Sequence, residues 1–229
     1  MTSIEVTRLV AAKDLRIELR SRILINQVLP FAAIVMVLFA FALDKDDLLA
    51  RVAPGLIWLA TLFSMLFVVQ RSFAVEAADG ALDALRTAGV PARGIYFGKA
   101  IALGLQLLVL EVLLFLAAFV LYNSRVGADG VVLLITSALA ASCGLGLVGT
   151  LYGGLTTGTK GRESLLPLLL LPVVAPVLIG VTRATDAALG VGGISMHEGW
   201  AWVSLLVTYA LLFGIGGSIA FGPLVDDSV

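Results

Sequence analysis

Long apolar runs separated by short polar stretches dominate the chain. Six of them, approximately Ile23–Leu43, Val52–Val69, Ile101–Tyr122, Val131–Leu155, Leu165–Val181 and Trp200–Phe221, contain no Lys or Arg, and Glu111 in the third is their one acid. Each reaches or approaches the ~20 apolar residues that carry a helix across ~30 Å of hydrocarbon. Strict alternation punctuated by turn residues, the mark of a membrane strand, is absent from these runs. The pattern predicts an all-α polytopic membrane protein, one transmembrane domain over residues 1–229 with six spans. A composition that is 60% hydrophobic and a mean hydropathy of +1.06 point the same way.

Two polar segments carry helical patterning of their own. Ser3–Arg22 mixes Ile4, Leu9, Val10, Ile17 and Leu19 with charged positions. It is expected to form an interfacial helix along the membrane surface, with Ser3 as its cap and its cations towards headgroups. The segment Gln70–Lys99, QRSFAVEAADGALDALRTAGVPARGIYFGK, is expected to contain a short helix at Gly80–Ala88 that stops near Gly89 and Pro91. Leu82 and Leu85 would share one face of it and Asp83 and Arg86 another. Such a two-faced helix can press its apolar side into a cleft on a soluble partner.

Charge placement sets the expected orientation. With the N-terminus inside, one side holds Arg8, Lys13, Arg16, Arg20, Arg22, Arg71, Arg86, Arg93, Lys99, Lys160 and Arg162. The other side holds only Lys45, Arg51, Arg125 and Arg183. An excess of eleven over four places both termini in the cytoplasm. The net charge of −1 does not bear on this, and no nucleic-acid partner is expected. No cleavable signal pattern precedes the first run, which is expected to act as its own insertion signal.

Candidate chemistry is sparse. Cys143, the single cysteine, excludes an internal disulfide or a Cys-x-x-Cys pair and reads as a small packing residue of the fourth span. Glu111, with Gln106 five residues earlier, is the candidate intramembrane polar contact, either clamping helices together or relaying a proton. Pro167, Pro172 and Pro176 either kink the fifth span or break it beside a substrate path. His197 and Met196 carry haem-ligating side chains, but adjacent residues cannot supply opposite axial ligands to one iron. Gly144, Gly146 and Gly149 form a literal G-x-G-x-x-G inside an uncharged span, where G-x-x-x-G helix packing at Gly149 and Gly153 is the better account. No phosphate-cradling G-x-x-x-x-G-K-[ST] run occurs, so no ATPase site is expected in this chain; no catalytic residues, metal site or firmly bound cofactor are expected either.

The runs LLARVAPGLIWLATLFSMLFVVQRSF, EAADGALDAL, KDLRIELRSR and LLPLLLLPVVAPVLI resemble the haem exporter protein B family, CcmB, along essentially the whole chain. The resemblance implies an ABC-2-type permease subunit of a bacterial inner-membrane system for cytochrome c maturation. It implies a separate CcmA-type ATPase, in two copies, that binds ATP and Mg. Its closure would act through a coupling helix between the second and third spans, which Glu76, Asp79, Gly80, Leu82, Asp83, Leu85 and Arg86 occupy here. CcmC-type and CcmD-type membrane subunits and a CcmE-type haem chaperone are the further partners implied, with haem as substrate; the second membrane half is either another CcmB copy or a different membrane partner. Gln70 stands where relatives often carry an acid before the matching Arg71. Two roles stay open: export of haem, or mechanical release of a haem-loaded chaperone. An intramembrane enzyme is disfavoured because no nucleophile or second acid accompanies Glu111.

Overall fold

In the computed structural model the described residues are 2–22, 24–43, 46–78, 84, 87–122, 126–156 and 162–226. They form helices and their connections: α1 (Ser3–Ser21), a π-helical turn (Leu24–Val28) running into α2 (Leu29–Ala42), α3 (Asp46–Ala78), α4 (Ala92–Leu121), α5 (Ala128–Leu155), α6 (Arg162–Leu189) and α7 (Met196–Asp226). Six of these are long and apolar enough to cross a membrane, the first being the π turn with α2. The protein is an all-helical, multi-pass membrane protein.

The helices overrun the uncharged runs because their ends take up the flanking charges rather than stopping at them. Thus α3 continues nine residues past Val69 to Ala78, α4 starts at Ala92 with Lys99 inside it, and α6 includes Arg183. Arg183 pairs with Asp186 at 3.9 Å, one turn on. Buried shares are largest in α3 and α5 and smallest in α2 and α7, so the first two form the centre and the last two the rim.

Small residues allow the centre to close. A Cβ on Gly149 would stand 2.8 Å from Leu103 and Met65, and one on Gly146 would meet the Ala100 carbonyl at 2.5 Å. Gly146 and Gly149 therefore lie in a helix seam between α5 and its neighbours α3 and α4, while Gly144 faces Tyr209 of α7. Buried polar side chains bridge helices across the apolar core. Trp58 Nε1 donates to Thr185 Oγ1 at 2.9 Å, the Tyr122 hydroxyl to the Met36 carbonyl at 2.8 Å, and the Tyr96 hydroxyl to the Phe213 carbonyl at 2.7 Å.

The proline-rich α6 runs unbroken, with Pro172 and Pro176 on its exposed side. The Tyr209 hydroxyl donates to the Val173 carbonyl between them at 2.8 Å. Outward-facing prolines leave their freed carbonyls away from the core, and α6 therefore does not break beside a path. Cys143 is exposed on the bundle surface rather than packed inside.

α1 departs from a helix merely resting on a surface. Its cap is Thr2, not Ser3: Thr2 and Glu5 form a reciprocal capping box. Val6 and Val10 press into Gly94 and Gly98 of α4, where an added Cβ would come within 2.7 Å of each valine Cβ. Gly94 and Gly98 are a second G-x-x-x-G pair, and they let the two helices approach closely. Ile4, Leu9 and Leu19 face outward, as an interfacial helix requires. Arg22 closes α1 in the left-handed region at φ 52°, and Glu18 Oε1 accepts the Leu24 N–H at 2.6 Å, turning the chain into the first span.

Candidate functional site: a buried charge cluster at the foot of α3

Where α1, the end of α3 and the start of α4 meet, four charged side chains gather. Lys99 is almost wholly buried, with Nζ 2.8 Å from Glu76 Oε2, 3.3 Å from Asp14 Oδ2 and 3.1 Å from Ser72 Oγ. Its ammonium also stands 4.5 Å from the centre of the Phe73 ring. Lys13 binds the other Glu76 oxygen and lies 3.1 Å from Asp14. Two cations and two anions therefore balance, Lys99, Glu76 and Asp14 nearly closed to water and Lys13 at its open edge.

Local sequence explains the convergence. Ser72 and Glu76 are four apart and share a face of α3, while Gly94 and Gly98 bring α1 close enough for Lys13 and Asp14 to reach it. Burial alone would lower the Lys13 pKa, but the Glu76 and Asp14 carboxylates outweigh it and hold the group above its ordinary value. A cavity of about 50 Å³, lined by Arg71, Ser72 and Gln106 among others, adjoins the cluster, and one of about 20 Å³ lies behind Lys99. Gln106 lines both, and its side-chain oxygen has no hydrogen-bond partner among the described residues. The smaller cavity is of the size that holds one water molecule.

Of the expected coupling residues, Glu76 alone is described, and it is buried in this cluster as part of the continuous α3. Asp79, Gly80, Leu82, Asp83, Leu85 and Arg86 lie outside the described residues. Gly89 beyond them has φ 66°, the left-handed value of a helix stop. Glu111 is buried and accepts from Ser142 Oγ at 2.7 Å, joining α4 to α5; its second oxygen has no partner among the described residues. Gln106 takes no part in that contact and faces the charge cluster instead.

His197 is exposed and Met196 half-buried in the first turn of α7, which supplies none of the charged side chains of the cluster. Ser195 caps this turn: its Oγ accepts the Glu198 N–H at 3.3 Å, and Glu198 Oε2 accepts the Ser195 N–H at 3.1 Å. The S-x-x-E spacing thus accounts for the run containing His197 as a helix start. No group of three or more His, Cys, Asp or Glu able to hold a metal occurs among the described residues.

The family model described as CcmB protein matches residues 5–220. The chain belongs to the CcmB family. Heme exporter protein B of Rhodobacter capsulatus is 36% identical over 225 residues, covering 96% of this chain and 95% of its own. The protein of that name from Shigella flexneri is 34% identical over 209 residues, covering 88% of each chain. That from Escherichia coli K12 is 34% identical over 189 residues, or 80% of each. The CcmB match includes almost all of α1, the helix docked on Gly94 and Gly98.

Lys13, Asp14, Ser72, Lys99 and Ser142 were not singled out from the sequence. The available signals were the second G-x-x-x-G pair, which marks where another helix must come close, and the i, i+4 pair of Ser72 and Glu76.

Proposed function

We propose that this chain is the permease subunit of an ABC-type complex that serves cytochrome c maturation, with haem or a haem-loaded chaperone as the cargo acted on. Its relatives' name, heme exporter protein B, supports the cargo, and the sixfold span pattern supports the permease role. In this reading the complex lies in a bacterial inner membrane with both termini and the charge cluster cytoplasmic. A CcmA-type ATPase supplies ATP hydrolysis, and CcmC-, CcmD- and CcmE-type proteins handle haem beside it.

The observation that carries the coupling half of the proposal is the ion-paired Glu76. α3 is uninterrupted to Ala78, two residues past Glu76, so a force delivered to its end at Ala78 acts on the foot of the helix. There Glu76 is bonded to α1 through Lys13 and to α4 through Lys99. An ATPase pushing on that end would thereby move three helices as one body, with stiff helices and buried ion pairs passing the displacement on.

A second reading, mechanical release of a haem chaperone without passage of haem through this chain, is favoured by the two cavities beside the charge cluster, about 50 and 20 Å³ among the described residues, which are small against a tetrapyrrole. Reconstitution of the chain with its ATPase, its membrane partners, haem and a periplasmic acceptor separates the two. ATP-dependent haem accumulation in sealed vesicles establishes export; ATP-dependent release of loaded chaperone without accumulation establishes the mechanical role. Changing Leu82 and Leu85 to Asp should abolish either activity while the protein still inserts. Undiminished ATP coupling in that variant would refute the coupling assignment.

A further inference from the structure

A groove of about 630 Å³ runs along the outside of the bundle between α4, α5 and α7. Its wall on α7 extends from Val207 to Ile219, and twelve steps at 1.5 Å make it about 18 Å long. One leaflet of hydrocarbon is about 15 Å deep, half of the ~30 Å core. The groove therefore reaches from the end of the bundle to about the middle of the membrane. Phe97, Leu147, Leu211 and Ile215 make it apolar for most of its length, and Cys143 opens into it part-way along.

Its polar groups are at one end. Arg93 stands there in the first turn of α4, and Ser218 of α7 lines the same groove. Arg93 is exposed, and among the described residues no carboxylate pairs with it. A guanidinium presents forked donors that match a phosphate. A lone cation at the mouth and an apolar slot one leaflet deep are the two halves of a phospholipid's own chemistry. A partner helix laid in the slot would fill the apolar part but meet the guanidinium only if it carried an acid at that one end.

We propose that this groove is a binding site for one acyl chain of an anionic phospholipid from the leaflet on the Arg93 side, with Arg93 holding its phosphate. The occupant wedges between α4 and α7, the helices that the Tyr96 hydroxyl ties together through the Phe213 carbonyl. The site is independent of the chain's cargo.

The test is native mass spectrometry of the full chain in detergent, titrated with phosphatidylglycerol or phosphatidylcholine of identical acyl chains. The wild type should retain one phosphatidylglycerol several-fold more tightly than phosphatidylcholine. Arg93→Gln should remove that preference and Arg93→Lys should keep most of it. Gly214→Leu should weaken both lipids, since a Cβ there meets Leu147 Cδ1 at an ordinary 3.7 Å and the rest of the side chain enters the groove. Thiol alkylation of Cys143 supplies a second readout, slower in phosphatidylglycerol vesicles than in phosphatidylcholine ones for the wild type and equal in both for Arg93→Gln. Equal retention of the two lipids by the wild type would overturn the proposal. So would an unchanged preference in Arg93→Gln, whose exposed side chain leaves the fold intact, or protection of Cys143 by added haem but not by phosphatidylglycerol.

Discussion

Lys99 and Glu76 meet across α4 and α3 as a 2.8 Å ion pair whose side chains are 2% and 5% exposed. Burial makes this pair expensive to break on one side only. Removing one partner of a buried pair costs about 3–5 kcal/mol, because the other charge is left uncompensated. Lys99→Met should therefore sharply lower the thermal or SDS-induced unfolding midpoint of the purified chain. Lys99→Met with Glu76→Gln should recover part of the loss, since the buried anion goes too. A double variant no more stable than Lys99→Met would show that Glu76 is held by Lys13 alone.

The same cluster sets an alkaline limit. The folded-state pKa of Lys13 lies above its ordinary 10.5, so the group binds its proton more tightly when folded than when unfolded. Its contribution is complete below the unfolded value and is lost as pH rises through the folded one. The difference in unfolding midpoint between wild type and Lys13→Met should hold steady from about pH 6 to 9. It should shrink only above 10.5. A difference that already falls between neutral pH and about pH 9 would contradict the ion-paired placement of Lys13.

Span number and the packing role of the α5 glycines were legible because they rest on local pattern, hydrocarbon thickness and the room a missing Cβ leaves. Helix ends were less so: Lys99 and Arg183 read as loop cations, yet each sits in a helix that supplies or faces an acid. The charge cluster was hidden for a different reason. Lys13, Glu76 and Lys99 are each ordinary flanking charges in the sequence, and only docking of α1 on Gly94 and Gly98 makes them one site. Likewise nothing near Trp58 announces Thr185, the acceptor of its indole N–H. Glu111 stood out as a charge in a span, but its partner Ser142 is one of many small residues in α5.

Glu111 and Ser142 separate a structural role from proton transfer. Interhelical hydrogen bonds in membranes average about 0.6 kcal/mol and reach about 1.7. Ser142→Ala should cost about 1 kcal/mol in the unfolding titration. Glu111→Gln keeps an oxygen to accept from Ser142, so it should leave both stability and ATP-coupled activity of the reconstituted complex close to wild type. A stable Glu111→Gln protein without ATP-coupled activity would establish proton transfer instead.

Ser195 and His197 should behave oppositely. Ser195→Ala removes the cap of α7 and should cost about 1 kcal/mol of stability. His197→Ala alters an exposed side chain in the first turn, which should leave stability within about 0.5 kcal/mol of wild type. It should also leave the Soret spectrum of the chain titrated with haem unchanged. A Soret shift that is present in the wild type and lost in His197→Ala would make His197 a haem ligand.

Gly149 and Gly216 test whether the seam, rather than glycine content, closes the bundle. A Cβ on Gly149 would stand 2.8 Å from Leu103 Cδ2 and from Met65 Cε, and 2.9 Å from Val69 Cγ2, while one on Gly216 meets nothing within 4 Å. All three obstructing atoms at Gly149 belong to buried residues, so none can swing out of the way without moving its neighbours. Gly149→Leu should therefore force α5 away from α3 and α4 at a cost of about 1–3 kcal/mol or more, the range for overpacking a full core. Gly216→Leu places its side chain on the bundle's outer surface and should be close to neutral. Detergent-solubilised variants compared by heat-induced loss of the monodisperse peak give the two values side by side. Equal loss in both would mean that the close approach of α5 to its neighbours does not hold the centre together.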